Sequence, residues 1–133
     1  MTKTRKILFT ILRFAAAIIL LQTLAYKFTA HPDSVHIFTT LGLEPYGRIG
    51  IGVLELIAGA LLISGRFAYL GALLAIGLMS GAIFSHLTTL GIVVNGDGGS
   101  LFALAVITFL CSSGVLFLQK GELAGLLAPL RNR

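Results

Sequence analysis

Charge is scarce in this chain. Its 133 residues include five Asp or Glu and ten Lys or Arg, so only 11% are charged. An ordinary soluble domain carries about a quarter. With 56% hydrophobic residues and a mean hydropathy of +0.97, a chain this short lacks the polar groups to cover a water-facing surface. Its expected solvent is lipid. Cysteine is almost absent too: Cys111 stands alone inside an apolar run, which excludes an intrachain disulfide framework and leaves it as a small packing residue. There is no P-loop, no GxGxxG after a strand, no nucleophile elbow and no CxxC. A self-contained catalytic motif is therefore missing, and the chain is not expected to be an enzyme on its own. His31, His36, His86 and Asp97 form a weak candidate set for a metal. Their spacing matches no metal-ligand pattern, so no metal site and no covalent cofactor are expected.

What is present is long apolar stretches. A membrane span needs about 20 predominantly apolar residues, and four stretches qualify or nearly so: Ile7–Tyr26, Arg48–Ser64, Phe67–His86 and Leu101–Leu118. Gly65–Arg66 and the turn-rich "NGDGGS" at Asn95–Ser100 separate them, the latter a loop because glycine reaches angles other residues avoid. The expected fold is all-α: one transmembrane domain over residues 1–133, an integral membrane four-helix bundle.

Orientation follows from the basic residues. Lys3, Arg5 and Lys6 precede the first span, Arg66 joins the second to the third, and Lys120, Arg131 and Arg133 follow the fourth. In an alternating bundle these share one side, and Asp33, Glu44 and Asp97 share the other. The positive-inside rule then puts both termini in the cytoplasm. The net charge of +5 has this topological explanation, so no nucleic-acid partner is expected. Lys3–Lys6 before an apolar run mimics a signal peptide. However, Arg13 interrupts the apolar core and the run to Tyr26 is long, so an uncleaved span is expected. In the first outer loop, Asp33 or Ser34 is the expected N-cap of a short amphipathic helix. Val35, Phe38 and Leu41 form its apolar face and Gly42 its stop.

The few intramembrane charges are functional-site candidates by default. Glu55 stands within "GVLELIAGALLISG", and its neighbours at helical spacing are Ile51, Gly52, Ala58 and Gly59. Three of these are small, so this face admits a neighbouring helix. Val53, Leu54, Ile57 and Leu61 lie opposite and suit lipid. On the first span Arg13, Ala17, Leu20, Leu24 and Lys27 form one stripe, with Arg13 and Lys27 about 21 Å apart along it. Either cation can reach toward Glu55. His86 shares a face with Ala68, Ala72, Ala75, Met79 and Ala82, near the outer end. The expected polar cluster is Lys27, Glu55 and His86 around a pocket that opens outward, with Arg13 as a counter-charge at its floor. The alternative is that each group makes a separate local contact and that Glu55 only sets helix register. Gly77 and Gly81 form a GxxxG pair, expected to pack inside the bundle, with dimerisation the other reading.

The ordered set Arg13, "YKF" at Tyr26–Phe28, "GVLELIAGALLISG", "GLMSGAIFSHL" at Gly77–Leu87 and "NGDGGSLFALA" at Asn95–Ala105 resembles the DoxX-like family. The resemblance implies a four-helix protein of the bacterial inner membrane. The family takes its name from a subunit of a thiosulfate:quinone oxidoreductase, so the resemblance also implies a link to membrane redox complexes. Arg13, Lys27, Glu55 and His86 match the family pattern. The implied function is an accessory subunit of a redox or quinone-linked process, with a quinone as the candidate ligand. Its partners would be the bilayer, a membrane redox complex and a second copy of the chain. A lipid- or small-molecule-binding or transport protein without redox chemistry is the alternative, and a structural assembly factor the third reading.

Overall fold

A computed structural model describes residues 2–131, with side chains to residue 125. Helix α1 spans Lys3–Phe28, α2 Pro32–Thr40, α3 Tyr46–Ser64, α4 Ala68–Ser85, α5 Ser100–Leu118 and α6 Lys120–Arg131. A π-helical turn, His86–Leu90, extends α4, and no strand occurs among the described residues. Four helices are long and apolar enough to cross a membrane: α1, α3, α4 with its π-turn, and α5. Each observed span lies within a few residues of its expected one, except that α1 begins earlier, at Lys3. Helix α6 was not foreseen. Arg133 lies outside the described residues, and so does the Arg131 side chain.

The four spans form a ring in the order α1, α3, α4, α5, each packed on its two ring neighbours. Small residues make the ring tight. Ala16, Ala17, Ala58, Ala68, Ala72 and Ala75 are fully buried, with Leu20 and Leu62 filling the spaces between them. Large apolar side chains point outward instead: Ile18 is 63% exposed, Phe84 67% and Leu110 62%. In water that surface would be an aggregation hazard, whereas against hydrocarbon it is the expected lipid contact.

Helices α3 and α4 come backbone to backbone at one point. A Cβ at Gly71 would stand 2.7 Å from the Ala58 carbonyl oxygen, so only glycine lets the two backbones meet there. Gly77 and Gly81 play no such part. A Cβ on either would meet nothing within 4 Å, which corrects the expectation that this pair packs inside the bundle. The reason is angular, since both glycines lie off the face that carries Ala72, Ala75 and Met79.

Helix α2 folds over one end of the ring. Its N-cap is His31, whose Nδ1 accepts from the Asp33 N–H at 3.2 Å, not Asp33 or Ser34. Proline has no N–H and a φ already suited to the first helical position, so Pro32 takes that place and the cap falls on His31, two residues before Asp33. Edge-to-face packing of His31 on Tyr26 and a 3.0 Å bond from Asn95 Nδ2 to Asp33 Oδ1 hold α2 down. The apolar face is turned slightly from the expected one: Ser34 and Phe38 are buried, and Leu41 is the C-cap with Gly42 at φ +73° behind it.

Candidate functional site

The site begins with how α1 ends. Phe28 closes the helix, and its ring lies over Gly52 of α3, where a Cβ would come within 2.7 Å of the ring edge. Arg48 secures the same junction. Its Nε donates to both carboxylate oxygens of Glu44 at 2.9 and 3.0 Å, and its Nη1 donates to the Lys27 carbonyl. That carbonyl belongs to the last turn of α1, which has no intrahelical partner to give it. The last turn of α1 is thereby held beside the first turns of α3. Arg48 is 7% exposed, although in sequence it reads only as a charge at a helix end. Its i,i+4 spacing from Glu44 was the available signal.

Held this way, Lys27 extends its side chain to Glu55, with Nζ 2.9 Å from Oε1. Glu55 is 1% exposed and points into the ring on the face that also buries Gly52, Ala58, Gly59 and Leu62. Its second oxygen lies 3.4 Å from the Thr23 hydroxyl, one turn before Lys27 on α1. Thr23 Oγ1 also stands 3.2 and 3.1 Å from the Ile19 and Leu20 carbonyls. A hydroxyl has one proton to share among these, so Lys27 is the main partner of the carboxylate. Of the two cations on the α1 stripe, Lys27 is the one that pairs.

Arg13 lies at the other end of the bundle. Its Nη1 donates to the carbonyls of Leu62 at 3.1 Å and Ile63 at 2.8 Å, the unpaired carbonyls of the last turn of α3. Its guanidinium lies 4.4 Å from the Phe14 ring centre. A cation at a helix C-terminus satisfies those carbonyls and complements the dipole. Arg13 therefore clamps α1 to α3 and is not the floor of the pocket, contrary to expectation. Gln119 makes a parallel clamp there, donating to the Gly65 carbonyl at 3.0 Å and accepting from the Tyr69 N–H at 2.8 Å.

His86 sits where α4 loosens into the π-turn, and it is buried. Gly91, at φ +78°, turns the chain back so that its carbonyl lies 2.9 Å from His86 Nδ1. A carbonyl only accepts, so Nδ1 carries the proton, and in the neutral ring Nε2 is left as an acceptor. Phe102 of α5 packs edge-to-face on the imidazole at 5.6 Å. π-turns of this kind occur often at functional positions.

Asp97 anchors the loop beneath α2. Its Oδ1 accepts from the N–H groups of Val94 at 3.0 Å and Gly99 at 2.7 Å, and its Oδ2 from Leu101 at 3.3 Å. Partial burial pushes its carboxyl up, but these three N–H bonds together with the nearby His86 outweigh it and hold the group below the usual carboxylate range. The carboxylate serves as an anion at the first turn of α5, a structural task. Among the described residues, no three His, Cys, Asp or Glu side chains converge.

Lys27, Glu55 and His86 line one cavity of about 690 Å³ inside the ring at the α2 end, and Arg13 is absent from its walls. The lining runs along α1 from Ile19 to Lys27 and along α5 from Ser100 to Thr108, a depth of about 12 Å at 1.5 Å per residue. Phe38 and Leu41 of α2 line its outer end, and Leu78, Met79, Leu104 and Ala105 supply much of the apolar wall. An apolar cavity with a few convergent polar groups is the usual form of a small-molecule site. It can grip a polar head with the ammonium, carboxylate, hydroxyl and imidazole, and shelter a hydrophobic body beside them. No curated protein and no solved structure matches the chain. A family model does: the DoxX model matches residues 8–88, which runs from the second turn of α1 through α4 and includes all four of Arg13, Lys27, Glu55 and His86. This four-span membrane protein belongs to the DoxX family.

Proposed function

We propose that this protein holds the polar head of a quinone-type molecule in the cavity beneath α2, as an accessory subunit of a membrane redox process. The observation that carries this reading is the Lys27–Glu55 ion pair in the wall of a largely apolar cavity. A charge pair within a span is costly to keep, and Arg13 and Gln119 already lock the helices at the other end without one. Lys27, whose ammonium has protons beyond the one directed at Glu55, can donate to a carbonyl oxygen, and the free nitrogen of His86 can accept from a hydroxyl. Both oxidation states of such a head thus find partners. The ligand supplies the redox chemistry, while these residues bind and orient it and keep water out.

The cavity end faces outward and both termini face the cytoplasm of a bacterial inner membrane. Lys3, Arg5, Lys6, Arg66 and Lys120 gather at the Arg13 end, while Asp33, Glu44 and Asp97 gather at the α2 end, and the positive-inside rule gives the orientation. Reporter fusions at Asn95 and after Arg133 should report opposite sides, and matching sides would overturn it. Native mass spectrometry of the detergent-extracted protein tests the ligand. The expected result is a co-purifying quinone that is lost in a Lys27→Met, Glu55→Gln, His86→Leu variant that still folds. A bound lipid or solute without redox behaviour would instead support a binding or transport protein, and retention by the triple variant would refute the site.

A further inference from the structure

One face of α4 changes its surroundings along its length. Gly71, Leu74, Leu78, Gly81 and Ser85 recur at alternating spacings of three and four, so they form a single stripe. The stripe begins in a close backbone contact, where Gly71 meets the Ala58 carbonyl, Leu61 and Leu62 of α3. Ten residues further on, a Cβ at Gly81 would touch nothing within 4 Å. Gly81 is exposed, yet it lines the cavity together with Leu78 and Ser85. On the α3 side, Ile51 lines the same cavity, and Leu54, one turn beyond Ala58, is 38% exposed. The close approach of α3 and α4 at Gly71 and Ala58 is not repeated at Gly81. Gly81 thus belongs both to the outer surface of α4 and to the wall of the cavity.

We infer that α3 and α4 part at the level of Gly81 to leave a lateral slot for the hydrocarbon tail of a single-chain amphiphile, which enters the cavity from the bilayer with its head toward Lys27 and Glu55. The inference rests on the cavity being a ligand site, and it adds the route and the tail. Depth identifies the occupant. Gly81 is nine residues from the outer end of a span that runs from Ala68 to Leu90, about 13 Å of helix. In a hydrocarbon layer about 30 Å thick the slot faces acyl chains, and water-borne solutes do not approach it. The absence of a side chain at Gly81 leaves the width that a methylene chain occupies.

The test uses the full chain in lipid nanodiscs and three probes: a tailless tetramethyl-benzoquinone, a benzoquinone with a ten-carbon tail, and a ten-carbon alcohol. Gly81→Leu fills the slot at a position with no neighbour to displace. Ser80→Leu, on an exposed part of α4 outside the cavity lining, is the control. The parent should bind the tailed quinone at least tenfold more tightly than the tailless one. Gly81→Leu should remove that advantage and leave the tailless affinity within twofold, and Ser80→Leu should change neither. An equal loss of both quinones, or no loss of the tailed one, overturns the slot and leaves the quinone reading standing. If neither quinone binds the parent, the quinone reading fails. The slot is then judged on the alcohol alone, and it stands if Gly81→Leu weakens that binding tenfold and falls if it does not.

Discussion

Removing the ammonium from Glu55 is the most informative perturbation of this fold. At the observed 2.9 Å, two unit charges attract by about 6 kcal/mol at an effective dielectric of ~20. Much of that is offset by the cost of taking both charges out of water, so the pair's net contribution is small. Breaking it is another matter. Lys27→Met leaves a carboxylate whose side chain is 2% exposed, with only the 3.4 Å contact to Thr23. An orphaned buried charge of this kind costs about 3–5 kcal/mol. Glu55→Gln removes the negative charge and keeps hydrogen-bonding capacity, while Lys27, 16% exposed, retains some access to solvent. Its cost should be about 1 kcal/mol, the scale of polar contacts between membrane helices. The double variant Lys27→Met, Glu55→Gln should therefore be more stable than Lys27→Met alone, since its second change removes the uncompensated carboxylate. Glu55→Ala, which leaves Lys27 without any partner, should cost more than Glu55→Gln. Reversible unfolding in mixed detergent micelles, followed by circular dichroism, gives all five stabilities. A Lys27→Met variant within 1 kcal/mol of the parent, or a double variant no better than Lys27→Met, would refute the reasoning and leave Glu55 solvated through the cavity.

Two further outcomes follow from other parts of the fold. Gly71→Ala places a Cβ 2.7 Å from a backbone oxygen, which cannot move without shifting α3, so it should cost about 1–3 kcal/mol. Gly77→Ala, with open space around it, should be neutral or stabilising by up to ~1 kcal/mol through helix propensity, and equal melting temperatures for the two would contradict the close contact at Gly71. Asp97 has its carboxyl held below the ordinary range, so its contribution is complete above that range and is lost as pH falls through the lowered folded value. The stability gap between the parent and Asp97→Asn should accordingly shrink on acidification, and a gap constant with pH would show that the three N–H bonds do not stabilise the charged form.

Composition and local periodicity were enough to read the class and most of the architecture. Lipid as solvent, four spans, the inward face of α3 around Glu55 and the small-residue face of α4 all depend on which residues are apolar or small at 3.6-residue spacing. Each can be read within one segment. The tertiary structure decided matters that depend on how segments meet. Arg13 and Lys27 share a stripe, and only the height at which α3 crosses α1 gives Glu55 to Lys27 and the α3 carbonyls to Arg13. Gly71 and Gly81 are the same residue on one stripe of α4. The first meets the Ala58 carbonyl, and the second meets no neighbour at all. Arg48 looked like an ordinary helix-end charge until the last turn of α1 supplied a carbonyl to receive it. The N-cap of α2 depended on the missing N–H of Pro32, and the π-turn at His86 on a carbonyl that Gly91 could turn back to meet. A periodic pattern specifies a direction around one helix axis. The partner found in that direction is set by the crossing angles and heights of all the helices together, which no single segment contains.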